Sequence, residues 1–136
     1  MKRVLLDTNI ILDIALQRKP FFNVAVQIFT KIDTKAIKGF VTASSITDIY
    51  YISKKSCGHE KSIKFIRELI DIVEVLSVTK ENIIKALNSE FKDFEDSLQN
   101  SIADINNIDI VLTRNKSDFN SSSIKICTPI ELINIL

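Results

Sequence analysis

Apolar residues fall along this chain in short runs that alternate with stretches spaced for helices, and the alternation continues from end to end. Arg3–Leu6 is a strand pattern, after which Ile10–Leu16 changes to helical spacing. Residues 21–32, FFNVAVQIFTKI, are apolar almost all the way round a helix, as in an element buried on several sides or covered by a partner. Gly39–Ala43 (GFVTA) predicts a second strand, followed by a helix over about Ser45–Lys55. Residues 60–70 carry Ile63, Ile66 and Ile70 at helical spacing, and Ile72–Leu76 is a third strand. Thr79 is an N-cap for a helix over residues 80–90. A helix from Phe94 to about Ile105 leads to a fourth strand, Asp109–Thr113, and Ile124–Cys127 is a fifth. Thr128-Pro129-Ile130-Glu131 then places a Thr cap, Pro at the first helical position and Glu three residues after the cap, which starts a last helix. Strands separated by helices need crossover connections, and crossovers make a parallel sheet covered on both faces. The pattern predicts one α/β domain over residues 1–136, with a mainly parallel central sheet of about five strands flanked by helices.

Composition narrows the chemistry. A chain of 136 residues, 46% hydrophobic, closes a core without disulfides or a structural metal. Its two glycines, Gly39 and Gly58, cannot write a GxGxxG or GxxxxGK[ST] phosphate loop. Two cysteines and one histidine are too few for a Cys/His zinc site. With no tryptophan and two tyrosines, no aromatic platform for stacking bases is obvious. Eighteen Lys and Arg against seventeen Asp and Glu give +1 with no polybasic run, which excludes a purely electrostatic nucleic-acid coat. Met1–Leu6 begins like a secretory signal, but Asp7 and Asp13 interrupt it and no small-residue cleavage site follows. No stretch approaches the ~20 apolar residues of a membrane span. Cys57 and Cys127 therefore read as reduced thiols, and the chain as a cytoplasmic protein. Carboxylates, amides and hydroxyls are left to carry any reaction.

In an open parallel sheet the crevice lies beyond the carboxyl ends of the strands. The first strand ends in Asp7-Thr8-Asn9, and the second in Thr42-Ala43-Ser44-Ser45 with Asp48 a turn into the next helix. The fourth ends in Thr113-Arg114-Asn115-Lys116-Ser117-Asp118, and Asp93-Phe94-Glu95-Asp96 opens the helix that feeds it. Clustered carboxylates repel one another unless a cation shares them, so their recurrence points to a divalent metal site. Singly, each acid also has a structural reading. Asp7, Thr8 or Asn9 can cap a helix; Asp93 can cap another with Asp96 at its third position; Asp118 suits a turn; Asp48 suits a solvated helix face. Asp13, Glu95, Asp104 and Asp109 have only structural readings. Cys57 and His59, two apart, point in different directions on a helix and lack a third orienting group. A phospho-receiver needs an aspartate where Leu76-Ser77-Val78 stands, and an Asp-x-Asp phosphatase needs an acid where Asn9 stands.

Four segments together carry a resemblance. Val4-Leu5-Leu6-Asp7-Thr8-Asn9-Ile10-Ile11-Leu12-Asp13 resembles the opening of PIN-domain ribonucleases, as in VapC-type toxins of bacterial toxin–antitoxin pairs. The segments from Ala43 to Ile52, from Asp93 to Gln99 and from Ile110 to Phe119 agree with that family in order and spacing. The resemblance implies that Asp7, Asp96 and Asp118 match its first, third and fourth acids. Its second acid is most often a glutamate, and Asp48, one methylene shorter, stands there. Thr8 and Asn9 would order the site, while Thr113 and Asn115 would contact substrate or the metal's water.

The activity that the resemblance implies is that of a ribonuclease using Mg²⁺ or Mn²⁺, hard cations that take oxygen ligands, to activate a water for in-line attack on RNA. The departure at Asp48 leaves an alternative, a catalytically silent PIN-like module that binds RNA or protein. The resemblance also implies an antitoxin partner. A homodimer and a docked inhibitor are expected at the hairpin of residues 10–16 and 21–32, through Ile10, Ile11, Ile14, Phe21, Phe22, Val26 and Phe29.

Overall fold

Three consecutive aliphatic residues, Val4-Leu5-Leu6, form the centre of the molecule, and all three are wholly buried. The computed structural model describes residues 1–120 and 122–136. In it the strands β1 (Lys2–Leu6), β2 (Ile37–Thr42), β3 (Glu74–Leu76), β4 (Ile110–Leu112) and β5 (Lys125–Cys127) make one sheet in the order β3-β2-β1-β4-β5. Every neighbouring pair is parallel. Successive side chains of a strand point to opposite faces. Val4 and Leu6 therefore join Ile110 and Leu112 in one core, while Leu5 joins Phe40 and Val111 in the other.

Helices cover both faces. The first core is closed by α1 (Thr8–Ala15), α2 (Phe22–Asp33), α3 (Ala43–Cys57), α4 (His59–Ile72) and α7 (Pro129–Ile135), through residues such as Ile10, Ile28, Ile49, Leu69 and Leu132. The second is closed by α5 (Lys80–Leu87) and α6 (Phe94–Ile105), through Ala86, Leu98 and Ile102. This is the α/β architecture expected from the sequence, with differences at the joints. Ala43 opens α3 instead of closing β2, because Thr42 turns into its cap and accepts from Ser45 N at 3.2 Å. Ile72 closes α4, and β3 begins only at Glu74. Helix α5 stops at Leu87. Gly39 lets α2 come down onto the sheet, since a Cβ there would lie 2.7 Å from Ile32 Cδ1. Gly58, at φ 85°, is the single residue joining α3 to α4.

The chain winds outward from β1 through β2 to β3, then crosses back to place β4 on the other side of β1. The winding reverses between β1 and β4, so the crevice opens there. The apolar display expected of the α1–α2 hairpin is corrected by the fold. Ile10 and Ile11 are wholly buried beneath it. Ile14, Phe21, Phe22 and Phe29 are half-buried, and Val26 is 39% exposed. What stays open is a groove of about 370 Å³ where Ile14, Val26 and Phe29 face Phe65, Leu69 and Ile72 of α4. Among the described residues no helix is long and apolar enough to cross a membrane.

Candidate active site

Asp7 follows the last residue of β1 and caps α1. Its N–H donates to Leu112 O at 2.9 Å, which ties it to β4. Its carboxylate is held from three sides: Oδ1 accepts from Thr8 N at 2.8 Å and from Gln99 Nε2 at 3.1 Å. Oδ2 accepts from Thr113 Oγ1 at 2.8 Å. A carboxylate offers about four acceptor positions, so three donors leave Oδ2 one direction free. Thr113 is itself aimed by Asn115 N, which donates to Thr113 Oγ1 at 3.2 Å. The Asn115 side chain accepts instead from Ser117 Oγ at 3.0 Å, and so shapes the loop without lining the cleft.

Around Asp7 lies a polar cleft of about 330 Å³. It is lined by Thr8 and Asn9 from α1, Asp48 and Ile52 from α3, and Asp93, Glu95 and Asp96 from the start of α6. Asp118, from the 3₁₀ turn Lys116–Phe119, completes it. The fold thus brings Asp7, Asp48, Asp96 and Asp118 to one opening, with Thr8 and Asn9 on its wall. Thr8 Oγ1 lies 2.9 Å from Ser45 Oγ and 3.4 Å from Glu95 Oε1. Asn9 Oδ1 accepts from Arg18 Nη1 at 3.1 Å.

Helix α6 shows why the acids sit where they do. Asp93 caps it, accepting from Asp96 N at 3.0 Å, which leaves Glu95 and Asp96 in the first turn. A helix N-terminus favours negative charge, yet crowding prevails. Burial, followed by the charges of Asp7, Asp93, Asp118 and Glu95, pushes the Asp96 carboxyl up to about 7. Burial, followed by the hydrogen bond and charge of Asp48 and the charges of Asp7 and Asp93, pushes Glu95 up to about 7 as well. Glu95 is an exposed residue and Asp96 a half-buried one, so Asp96 is the stronger witness to excess negative charge.

Sequence reasoning passed over Glu95 and Gln99. They lie four apart on α6, on the helix face that also carries Asp96, and that spacing was the available signal. Gln99 is 1% exposed, and its Oε1 has no hydrogen-bond partner. His59 pairs with Tyr50, Nδ1 to OH at 2.8 Å, rather than with Cys57.

The donors facing the cleft are hard oxygens whose mutual repulsion a cation would relieve, so in kind they fit a divalent metal. Among the described residues no group of three or more His, Cys, Asp or Glu is arranged to hold one as it stands.

The family model for the PIN domain matches residues 3–117. The chain belongs to the PIN-domain family. Three of the four acids lie inside the matched span, and Asp118 follows it directly. This PIN domain is 28% identical to Ribonuclease VapC1 of Aquifex aeolicus (strain VF5) over 132 residues, 93% of this chain and 90% of that protein. Among solved structures it is similar to VapBC2 from Rickettsia felis, bound to a DNA fragment from their promoter. There the TM-score is 0.69 at 16% identity, over 92% of this chain and 97% of that one. It is also similar to Mycobacterium tuberculosis VapC20, described as a Sarcin-Ricin loop cleaving toxin, with a TM-score of 0.70 at 11% identity. That match covers 87% of this chain and 94% of the other.

Proposed function

We propose that this PIN domain is a divalent-metal-dependent endoribonuclease and the toxin of a toxin–antitoxin pair. The observation that carries the reading is the convergence of carboxylates from four separate segments on one cleft at the β1/β4 switch point. The relationship to Ribonuclease VapC1 supports RNA as the substrate. In this reading Asp7, Asp48, Asp96 and Asp118 hold Mg²⁺ or Mn²⁺. When bound, such an ion supplies a water nucleophile at neutral pH and charge stabilisation for an in-line displacement at phosphorus. The chain's own residues prepare the site. Thr8 N, Gln99 and Thr113 fix Asp7 so that one lone pair of Oδ2 stays open. Asn9, steadied by Arg18, lines the mouth where substrate or solvent enters. Asp48 reaches less far than a glutamate, and Glu95 stands within hydrogen-bonding reach of it, its carboxyl pushed up in part by the Asp48 hydrogen bond and charge. The toxin reading adds an inhibitor, whose apolar helix is assigned to the α2–α4 groove, and a homodimer of the chain itself.

The test is cleavage of a labelled single-stranded RNA by purified protein with Mg²⁺ or Mn²⁺, against a chelator control. Cleavage should require the ion, and Asp7→Asn should reduce it by more than the roughly 10–100-fold that changes behind a metal ligand produce. Cleavage that persists in chelator, or in Asp7→Asn, would overturn the assignment. The substitution of aspartate for the usual glutamate at position 48 favours one other reading, a silent binding module. RNA bound without being cut, with or without metal, is its signature.

A further inference from the structure

Neither tyrosine of the chain has a place in the proposed reaction, yet Tyr51 lies about one helical turn from Asp48, beside the cleft. Asp48 and Ile52 line it from α3. Residues three, four and seven apart share one face of a helix, so Tyr51 and Lys55 continue the stripe begun by Asp48 and Ile52. At 1.5 Å per residue, Tyr51 lies about 4.5 Å and Lys55 about 10 Å along the axis from Asp48. We infer that this stripe seats the nucleotide next to the scissile phosphate, Tyr51 stacking on its base and Lys55 meeting the next phosphate along the strand. The inference rests on the RNA-cleaving reading of the same cleft.

Three observations favour RNA there. Tyr51 is 63% exposed, a large ring left in solvent beside the proposed reaction centre. The ring is nevertheless braced. It packs edge-to-face on Tyr50, with centroids 5.2 Å apart, and Tyr50 is held in turn by His59 at 2.8 Å. A ring already held in place loses little freedom on binding. Lys55 is exposed and has no ion-pair partner among the described residues, while Ile52, 39% exposed, gives an apolar edge between it and the acids. An aromatic face and a lysine along one track are the usual pair for a single strand. A stacking platform is not legible in the sequence alone, because two adjacent tyrosines show neither their mutual packing nor the helix face that Tyr51 shares with Asp48.

The test uses the full chain, steady-state cleavage of single-stranded RNA, and binding of a short oligouridine followed by tyrosine emission. With no tryptophan and two tyrosines, emission reports these rings alone. Oligouridine should quench the wild type, and Tyr51→Phe should lose most of that quench while keeping KM close to wild type. Tyr51→Ala and Tyr51→Leu should raise KM about 5- to 150-fold, with the loss on KM more than on kcat. Tyr51→Leu keeps apolar bulk without a stacking plane, and circular dichroism checks the fold of both. Lys55→Gln should lower the slope of log KM against log salt by about 0.7, the value for one phosphate contact on a single strand. Unchanged KM in the Tyr51 variants, or an unchanged salt slope in Lys55→Gln, overturns the inference while the nuclease reading stands. If the wild type cuts nothing, the nuclease reading fails and the oligouridine quench still decides the seat. Variants that lose a protein inhibitor but bind RNA normally give the stripe to that inhibitor and overturn the proposal.

Discussion

Asp7 takes its hydrogen bonds from positions 8, 99 and 113, and only the first is legible as a local cap. The acids themselves stand out in the sequence because they recur after strands. Gln99 and Glu95 do not, because a glutamine or glutamate on a helix usually faces water. Gln99→Leu keeps the volume and removes the donor. It should weaken Mn²⁺ binding about 10–100-fold by titration calorimetry. It should leave stability unchanged or slightly raised, since the unpartnered Oε1 leaves with it. A drop in stability with normal metal affinity would make Gln99 a packing residue only. The crowded carboxyls add a pH dependence whose sign is fixed. Asp96 and Glu95 are pushed up to about 7 from ordinary values of 3.8 and 4.5, so the folded protein holds their protons more tightly than the unfolded chain. Their contribution to the stability of the metal-free protein should therefore be fullest below about pH 4 and be lost as pH rises to about 7. Asp96→Asn should flatten that loss, and Mg²⁺ or Mn²⁺ should reverse it, both read from urea midpoints across pH. A metal-free midpoint that rises between pH 4 and 7, and is the same in Asp96→Asn, would contradict this.

Elements were legible where a local device announces them. The Thr128–Glu131 capping box with Pro129 forms as read, and Thr79 caps α5 in a second box with Asn82. Boundaries moved at Ala43, a strong helix former that the Thr42 cap takes into α3, and at Ile72, a β-branched residue that nevertheless closes α4. Asp13 was the least legible of the acids. The sequence offers it only a structural reading and names no partner, yet it is 1% exposed, its Oδ2 lying 3.0 Å from Arg114 Nε and its Oδ1 3.7 Å from Arg18 Nη1. Burial outweighs both arginines and raises its carboxyl above the ordinary range. Arg114 also stacks on Phe21, 3.9 Å from the ring centre, so one ion pair joins the end of α1, the approach to α2 and the loop after β4. Because both arginines keep some contact with water, the loss on Asp13→Ala should be below the 3–5 kcal/mol of a fully buried pair, about 1–3 kcal/mol by urea unfolding. Nuclease activity should fall with it, because Thr113 precedes Arg114 and orients Asp7. Unchanged stability would show that Asp13 is merely covered.

For the whole molecule, alternation of strands and helices was enough to predict the parallel sheet and the edge where the acids meet. It was not enough to rank exposed surfaces. The same isoleucines that suggest a partner face supply the core, and only the packed α1–α2 hairpin separates Ile10 and Ile11 from Val26. The sheet's strand order also bears on synthesis. The central strand β1 is made first, but its neighbour β4 begins 108 residues later, at Ile110, and Asp7 receives its bond from Thr113 across 106 positions. Contacts so distant along the chain form late, because the loop between them must close first. A nascent chain on the ribosome therefore carries Asp7 and Asp48 long before it has Asp96, Asp118 or the strand that aims them. A protein able to cut its own cell's RNA would thus stay inert until Asp118 has been made, its reactive centre assembling only once β4 can join β1.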